Sequence, residues 1–232
     1  MKIWGRLSSI NVRKVVWCAQ ELGLEHQRTD AGSRFGVVQT PDYLTINPNA
    51  LVPAIEDDDV AGGGSFRLWE SNVIVRYLCA RHAAGTLYPE PLVARFDAER
   101  WMDWQQTTLN PAGREAFIQC VRTPAERRDL AAAARSVQAT EPLMTLLDAN
   151  LATRAYVGGD RFTMADIQIG CELHRWFGLP VDSYTRLAWP HLERYFGALR
   201  ERAAARGVLD LDVGVTRVQA ARRRRRFANL HR

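Results

Sequence analysis

The pattern of this chain changes once, near residue 90. Before that point short strand-like runs alternate with helix-length runs. From Pro91 onward only long helical patterns follow, and the break falls in AAGTLYPEP, where Gly85, Pro89 and Pro91 interrupt the periodicity. A 232-residue chain with such a break reads as two packed units, since a single core rarely mixes the two regimes at this size.

The first unit has a definite order. KIWG at residues 2–5 is strand-like. Asn11 caps a predicted helix in which Val12, Val15, Val16, Ala19 and Leu22 recur at helical spacing until Gly23 ends it. Residues 24–29 supply a second strand. Thr40-Pro41 opens a short helix to Ile46, because threonine caps and proline is tolerated at the first helical position. LVPAIE and FRLW follow as strands, joined through DDDVAGGGS, whose glycines permit a turn. Ser71 to His82 then reads as a helix, giving β-α-β-α-β-β-α.

In the second unit Thr123-Pro124-Ala125-Glu126 forms a capping box, so a helix is predicted from there towards Leu151. Thr163-Met164-Ala165-Asp166 is a second box, with Phe162 set to pack on Ile167 as a hydrophobic staple. A last helix starts near Pro190. The expected domains are therefore residues 1–82, a linker at 83–92, an all-helical domain at 93–213 and a tail at 214–232.

Composition excludes several classes. Apolar residues are 47% and charged residues 25%, as in globular chains and unlike disordered ones. No run reaches the roughly 18 apolar residues of a membrane span, and the start has no apolar signal core, so a cytoplasmic protein without membrane partners is expected. The net charge of +5 belongs to the tail: residues 214–232 hold seven arginines, five of them consecutive at 222–226, and no acid. The first 213 residues carry 24 basic against 26 acidic groups, a balance of −2. A nucleic-acid footprint across a folded face is thus not expected, and the tail is read as solvated and disordered. The four cysteines are scattered without metal-ligand spacing, which indicates neither zinc nor a disulfide framework.

Three local sequences carry a family resemblance: Ser9-Ile10-Asn11 opening the first helix, Asn47-Pro48-Asn49-Ala50-Leu51-Val52-Pro53-Ala54, and Trp69-Glu70-Ser71-Asn72 running on to Leu78. With Trp104-Gln105-Gln106-Thr107-Thr108-Leu109 and the Gly159 to Asp166 box, they stand in the order found in cytosolic glutathione transferases. The chain resembles the bacterial theta-like members over residues 1 to about 205. The resemblance implies an α/β plus all-α architecture: a thioredoxin-like βαβαββα domain that binds glutathione, then an all-helical domain. It also implies an enzyme that is a homodimer, with glutathione as co-substrate and no metal.

It further implies roles for particular residues. An X-Pro bond prefers trans by only about 0.5–1 kcal/mol, so Val52-Pro53 can be cis and leave the Val52 backbone open to pair with an extended tripeptide. Ser71, at a helix N-terminus, suits the γ-glutamyl carboxylate, with Glu70 facing its ammonium. The thiolate is the nucleophile, yet a free thiol of pKa about 8.5 is mostly protonated at neutral pH. A donor hydroxyl, an amide side chain and a helix N-terminus favour the anion, and lowering the thiol pKa by about two corresponds to roughly 2.7 kcal/mol. The family's S-x-N-x-x-[RK] pattern, present here as Ser9, Asn11 and Lys14, implies Ser9 as donor and Asn11 as its helper, with Ser8 the competitor.

The chain departs from its relatives at the other end of the tripeptide. Leu51 stands where a Lys, Gln or Arg is usual, and Val38-Gln39 where a His-Lys pair is usual. Gln39 keeps one contact with the glycyl carboxylate, Arg34 is a candidate charge, and weakened affinity is expected. Trp104, Thr108 and Phe117, which follow Trp101 at near-helical spacing, are the expected wall for a small apolar electrophile between the halves. Two alternatives remain: a glutathione-dependent disulfide reductase or peroxidase of the same fold, and a non-catalytic interaction module whose basic tail attracts nucleic acid.

Overall fold

A computed structural model describes residues 1–60, 62–180, 185 and 187–214. The described residues form two compact units, residues 1–82 together with 204–214, and Ala83–Ala203. Residues 204–214 thus cluster with the first unit and residues 83–92 with the second. Of the basic tail, only Gly214 lies within the described residues.

The first unit holds strands β1 (Lys2–Trp4), β2 (Gln27–Thr29), β3 (Ala54–Asp57) and β4 (Phe66–Trp69), with helices α1 (Ile10–Glu21), α2 (Pro41–Leu44) and α3 (Ser71–His82). The sheet order is β2-β1-β3-β4; β1 is parallel to β2 and antiparallel to β3, which pairs antiparallel with β4. A parallel pair needs a long crossover, which α1 supplies. Ser9, not Asn11, is the N-cap of α1. Asn11 sits inside the first turn. At the far end Gly23 takes φ 64°, a left-handed turn that favours glycine.

Buried Val12, Val15, Val16 and Ala19 of α1 share the core with Ile3, Ile55, Ile74, Val75 and Leu78. Each of these Val, Leu and Ile side chains contributes about 1.5–3 kcal/mol by leaving water. Cys18 and Cys79 face each other across α1 and α3 with sulfurs 3.6 Å apart. Buried Arg13 donates from Nε to the Leu7 carbonyl and from its terminal nitrogens to the carbonyls of Val208 (2.5 Å) and Asp212 (3.1 Å). Ala205, Val208 and Leu209 are buried with it, so this returning segment is tied to the turn that precedes α1.

The second unit contains α4 (Leu92–Trp104), α5 (Asn110–Phe117), α6 (Leu130–Leu151), α7 (Met164–Phe177) and α8 (Pro190–Arg200). Two π turns, Gln105–Leu109 and Ile118–Arg122, adjoin α5. The predicted cap at Thr123 is not used: its hydroxyl donates back to the Ile118 carbonyl, and Asp129 caps α6 by accepting from the Ala132 amide. The capping box at Thr163 and Asp166 does form. Phe162 meets the Tyr156 ring edge to face at 5.8 Å. Every residue of α7 from Met164 to Trp176 is buried, which makes it the central helix of the unit. Among the described residues, no helix is long and apolar enough to cross a membrane.

Candidate active site

The sheet order sets out what lies along its upper edge. The loop after β2, the Gly5–Ser9 turn after β1, the Leu51–Pro53 turn before β3 and the Glu70–Ser71 corner after β4 follow one another. Ser9 has cap dihedrals (φ −90°, ψ 125°), yet its side chain makes no capping hydrogen bond. Among the described residues its hydroxyl has no hydrogen-bond partner, and it lies at the positive end of α1. Asn11, in the same turn, has a buried Oδ1 without a partner among the described residues. Ser8 makes an interaction of its own.

Val52-Pro53 is cis. No hydrogen bond ties the Val52 backbone to the described residues, which leaves its N–H and C=O open to an added strand. The preceding carbonyl is held twice: Tyr43 Oη donates to Leu51 O at 2.6 Å and Asn47 Nδ2 at 2.9 Å. Burial pushes the Tyr43 hydroxyl up to about 12, so it remains a donor. Tyr43 packs in a cluster with Ile46 and Ala54, against which Trp4, Val37, Val38 and Val52 also pack.

At the next corner Glu70 takes φ 70°, a left-handed conformation that costs a residue with a side chain of order 1–3 kcal/mol and is concentrated at functional sites. Ser71 is buried as the first residue of α3, while Glu70 is exposed. Asn72 Oδ1, one position on, accepts from the buried Lys14 ammonium at 3.3 Å.

Residues 8–81 match the family described as the N-terminal domain of glutathione S-transferase, and residues 131–198 match its C-terminal domain. Over 211 residues the chain is 39% identical to glutathione S-transferase GstB of Escherichia coli, covering 91% of this chain and 98% of that one. The chain belongs to the glutathione S-transferase family. A theta class member from Xanthomonas axonopodis pv. citri, solved with glutathione bound, superposes with a TM-score of 0.84 at 39% identity over 91% of this chain and 98% of that one. The chain is also 31% identical over 163 residues to elongation factor 1-gamma 1 of rice, covering 68% of this chain but 36% of that protein.

The positions expected to face the glycyl carboxylate offer little charge. Val38 packs toward the core cluster and Leu51 is 63% exposed. Gln39 is exposed, and the Arg34 guanidinium lies over the Phe35 ring at 4.8 Å.

The expected electrophile wall is less regular than its spacing. The π turn at Gln105–Leu109 shifts the helical phase between Trp104 and Phe117. Trp104 meets Trp101 edge to face at 5.3 Å, and Thr108 is exposed within the π turn. Phe117 is buried, with the guanidinium groups of Arg122 and Arg175 at 4.8 and 5.7 Å from its ring. Buried Glu172 binds Gln105 Nε2 (2.6 Å), Asn110 Nδ2 (3.1 Å) and Arg175, fixing this π turn to α7. The roles of Tyr43 and Asn47 were not read from the sequence; a Tyr within and an Asn just after one short helix, before a Val-Pro pair, were the available signal.

Proposed function

We propose that the protein is a glutathione transferase that adds the glutathione thiolate to small apolar electrophiles. The γ-glutamyl group lies at Ser71 and Glu70, the cysteinyl unit pairs with Val52 beside Pro53, and Gln39 lies at the glycyl end. Ser9 donates its hydroxyl to the sulfur and Asn11 assists. The thiol loses its proton to solvent, the sulfur forms a bond to the electrophilic carbon, and the leaving group departs with that carbon's former bonding pair. Trp104, Thr108 and Phe117 form the apolar wall.

The observation that carries this reading is the Ser9 hydroxyl, placed at the mouth of α1 and unused as a cap. Activity with a chloronitrobenzene acceptor, exceeding activity with hydroxyethyl disulfide, tests it. The reverse ranking would favour the disulfide reductase or peroxidase. Among the described residues the chemistry has no cysteine of its own at the surface, since all four are free and buried. Free cysteines suit a reducing compartment, which supports a cytoplasmic location.

A homodimer is supported by exposed apolar side chains within each unit: Leu92, Val93 (84% exposed) and Phe96 on α4, and Phe66, Trp69 and Val73 at β4 and α3. Sedimentation at micromolar concentration checks it; a monomer would refute it. The likeness to elongation factor 1-gamma favours one second reading, an interaction module. Steep salt-dependent RNA binding without glutathione binding would select that reading.

A further inference from the structure

The glycyl carboxylate of the bound tripeptide needs a counter-charge that Val38, Gln39 and Leu51 do not supply, and the guanidinium of Arg34 is already engaged over the Phe35 ring. The sheet order shows where to look. With the γ-glutamyl group at the corner after β4 and the cysteinyl unit on Val52, the glycyl end runs across the end of β1 towards the loop after β2. Arg6 stands on that path, two residues beyond β1 and in the turn that carries Ser9, whose amide donates to the Arg6 carbonyl at 3.0 Å.

Its guanidinium lies against Gly32, the glycine that opens the loop after β2. A Cβ on Gly32 would stand 2.8 Å from Arg6 Nη1 and 3.4 Å from Val52 Cγ2, so Arg6 and Val52 flank one glycine. Gly32 takes φ 79°, and a side chain there would displace the guanidinium.

The Arg6 head group is also chemically idle. Neighbouring arginines are engaged: Arg28 binds Asp30 and the Gly5 carbonyl, and Arg13 binds Leu7, Val208 and Asp212. Arg6 is partly buried, burial lowers its pKa, and its side chain has no hydrogen bond or ion pair among the described residues. A partly desolvated cation with five unused donors matches a planar carboxylate.

The geometry points to Arg6 as the residue that receives the glycyl carboxylate of glutathione, and so as the group by which this protein distinguishes the tripeptide from γ-glutamylcysteine. This rests on the glutathione reading above and goes beyond the residues the family resemblance implied.

Calorimetry with S-methylglutathione and S-methyl-γ-glutamylcysteine tests it, the methyl group removing thiol ionisation from the comparison. The wild-type protein should prefer the tripeptide by roughly ten- to a hundredfold, the range of a charge-assisted hydrogen bond. Arg6→Gln should abolish that preference by weakening the tripeptide alone, and Arg6→Lys, which keeps stem and charge, should retain part of it. Equal weakening of both ligands in Arg6→Gln, or a preference that Arg6→Gln leaves unchanged, would overturn the assignment and leave the glutathione reading standing. Failure of the wild-type protein to bind either ligand would overturn the glutathione reading and the assignment with it.

Discussion

The Tyr43 hydroxyl donates to the Leu51 carbonyl at 2.6 Å, across eight residues and a change of element. Through that bond a buried ring in the core cluster aims the turn on which the cysteinyl unit of glutathione is proposed to lie. The second donor, Asn47, shares the same oxygen.

Tyr43→Phe removes one of two donors and leaves the ring in place. A net loss of about 1 kcal/mol is expected, with the glutathione dissociation constant rising several-fold because the turn is less firmly held. Calorimetric titration beside a urea unfolding curve checks both; unchanged affinity with the expected loss of stability would show that Asn47 alone positions the turn.

Arg13 and the returning segment should behave as one device. Arg13→Met leaves the carbonyls of Leu7, Val208 and Asp212 without their shared donor, at a cost of about 2–4 kcal/mol. Ending the chain at Ala203 removes the same contacts from the other side. Combining the two changes should cost much less than the sum of the separate losses, as measured by denaturant unfolding. Additive losses would show that the arginine and the segment act independently.

What was legible in the sequence was local. The Thr163–Asp166 box and the Ser71 helix start depend on residues three or four apart, and both stand as read. The Thr123 box failed because Asp129, six residues on, offers a better carboxylate cap, while the Thr123 hydroxyl finds the Ile118 carbonyl at 3.0 Å. Asn11 and Ser9 are both cap formers, and the extended dihedrals that make Ser9 the N-cap are set by the backbone and not by residue type. The π turn at Gln105–Leu109 has no composition signal, and the partner that anchors it, Glu172 bonded to Gln105, stands 67 positions away. The fold-back of residues 204–212 onto Arg13 has no periodicity to announce it. The same holds for Tyr43 and Arg6, whose roles depend on which strand ends the sheet order brings together.

Asp166 makes the second unit sensitive to pH. Burial raises its carboxyl to about 6, against opposing hydrogen bonds from the amides of Thr163 and Val157 and the hydroxyls of Tyr195 and Thr163. Because the folded value lies above the ordinary 3.8, the native chain holds this proton more tightly. The contribution is therefore fully present below about pH 4 and lost as pH rises through about 6. Urea unfolding of wild type compared with Asp166→Asn should show a stability difference that changes by a few kcal/mol across that window and is flat above it. A difference that is constant throughout the range would contradict the assignment.

The central claim is that Ser9 holds the sulfur of bound glutathione negative, and the ultraviolet thiolate absorbance of the complex, titrated against pH, tests it most directly. Ser9→Ala should raise the midpoint by about one to two on the pH scale, the worth of one charge-assisted hydrogen bond, with the melting temperature almost unmoved. Ser8→Ala should leave the midpoint in place. A midpoint unchanged in Ser9→Ala, or displaced only in Ser8→Ala, would contradict the account.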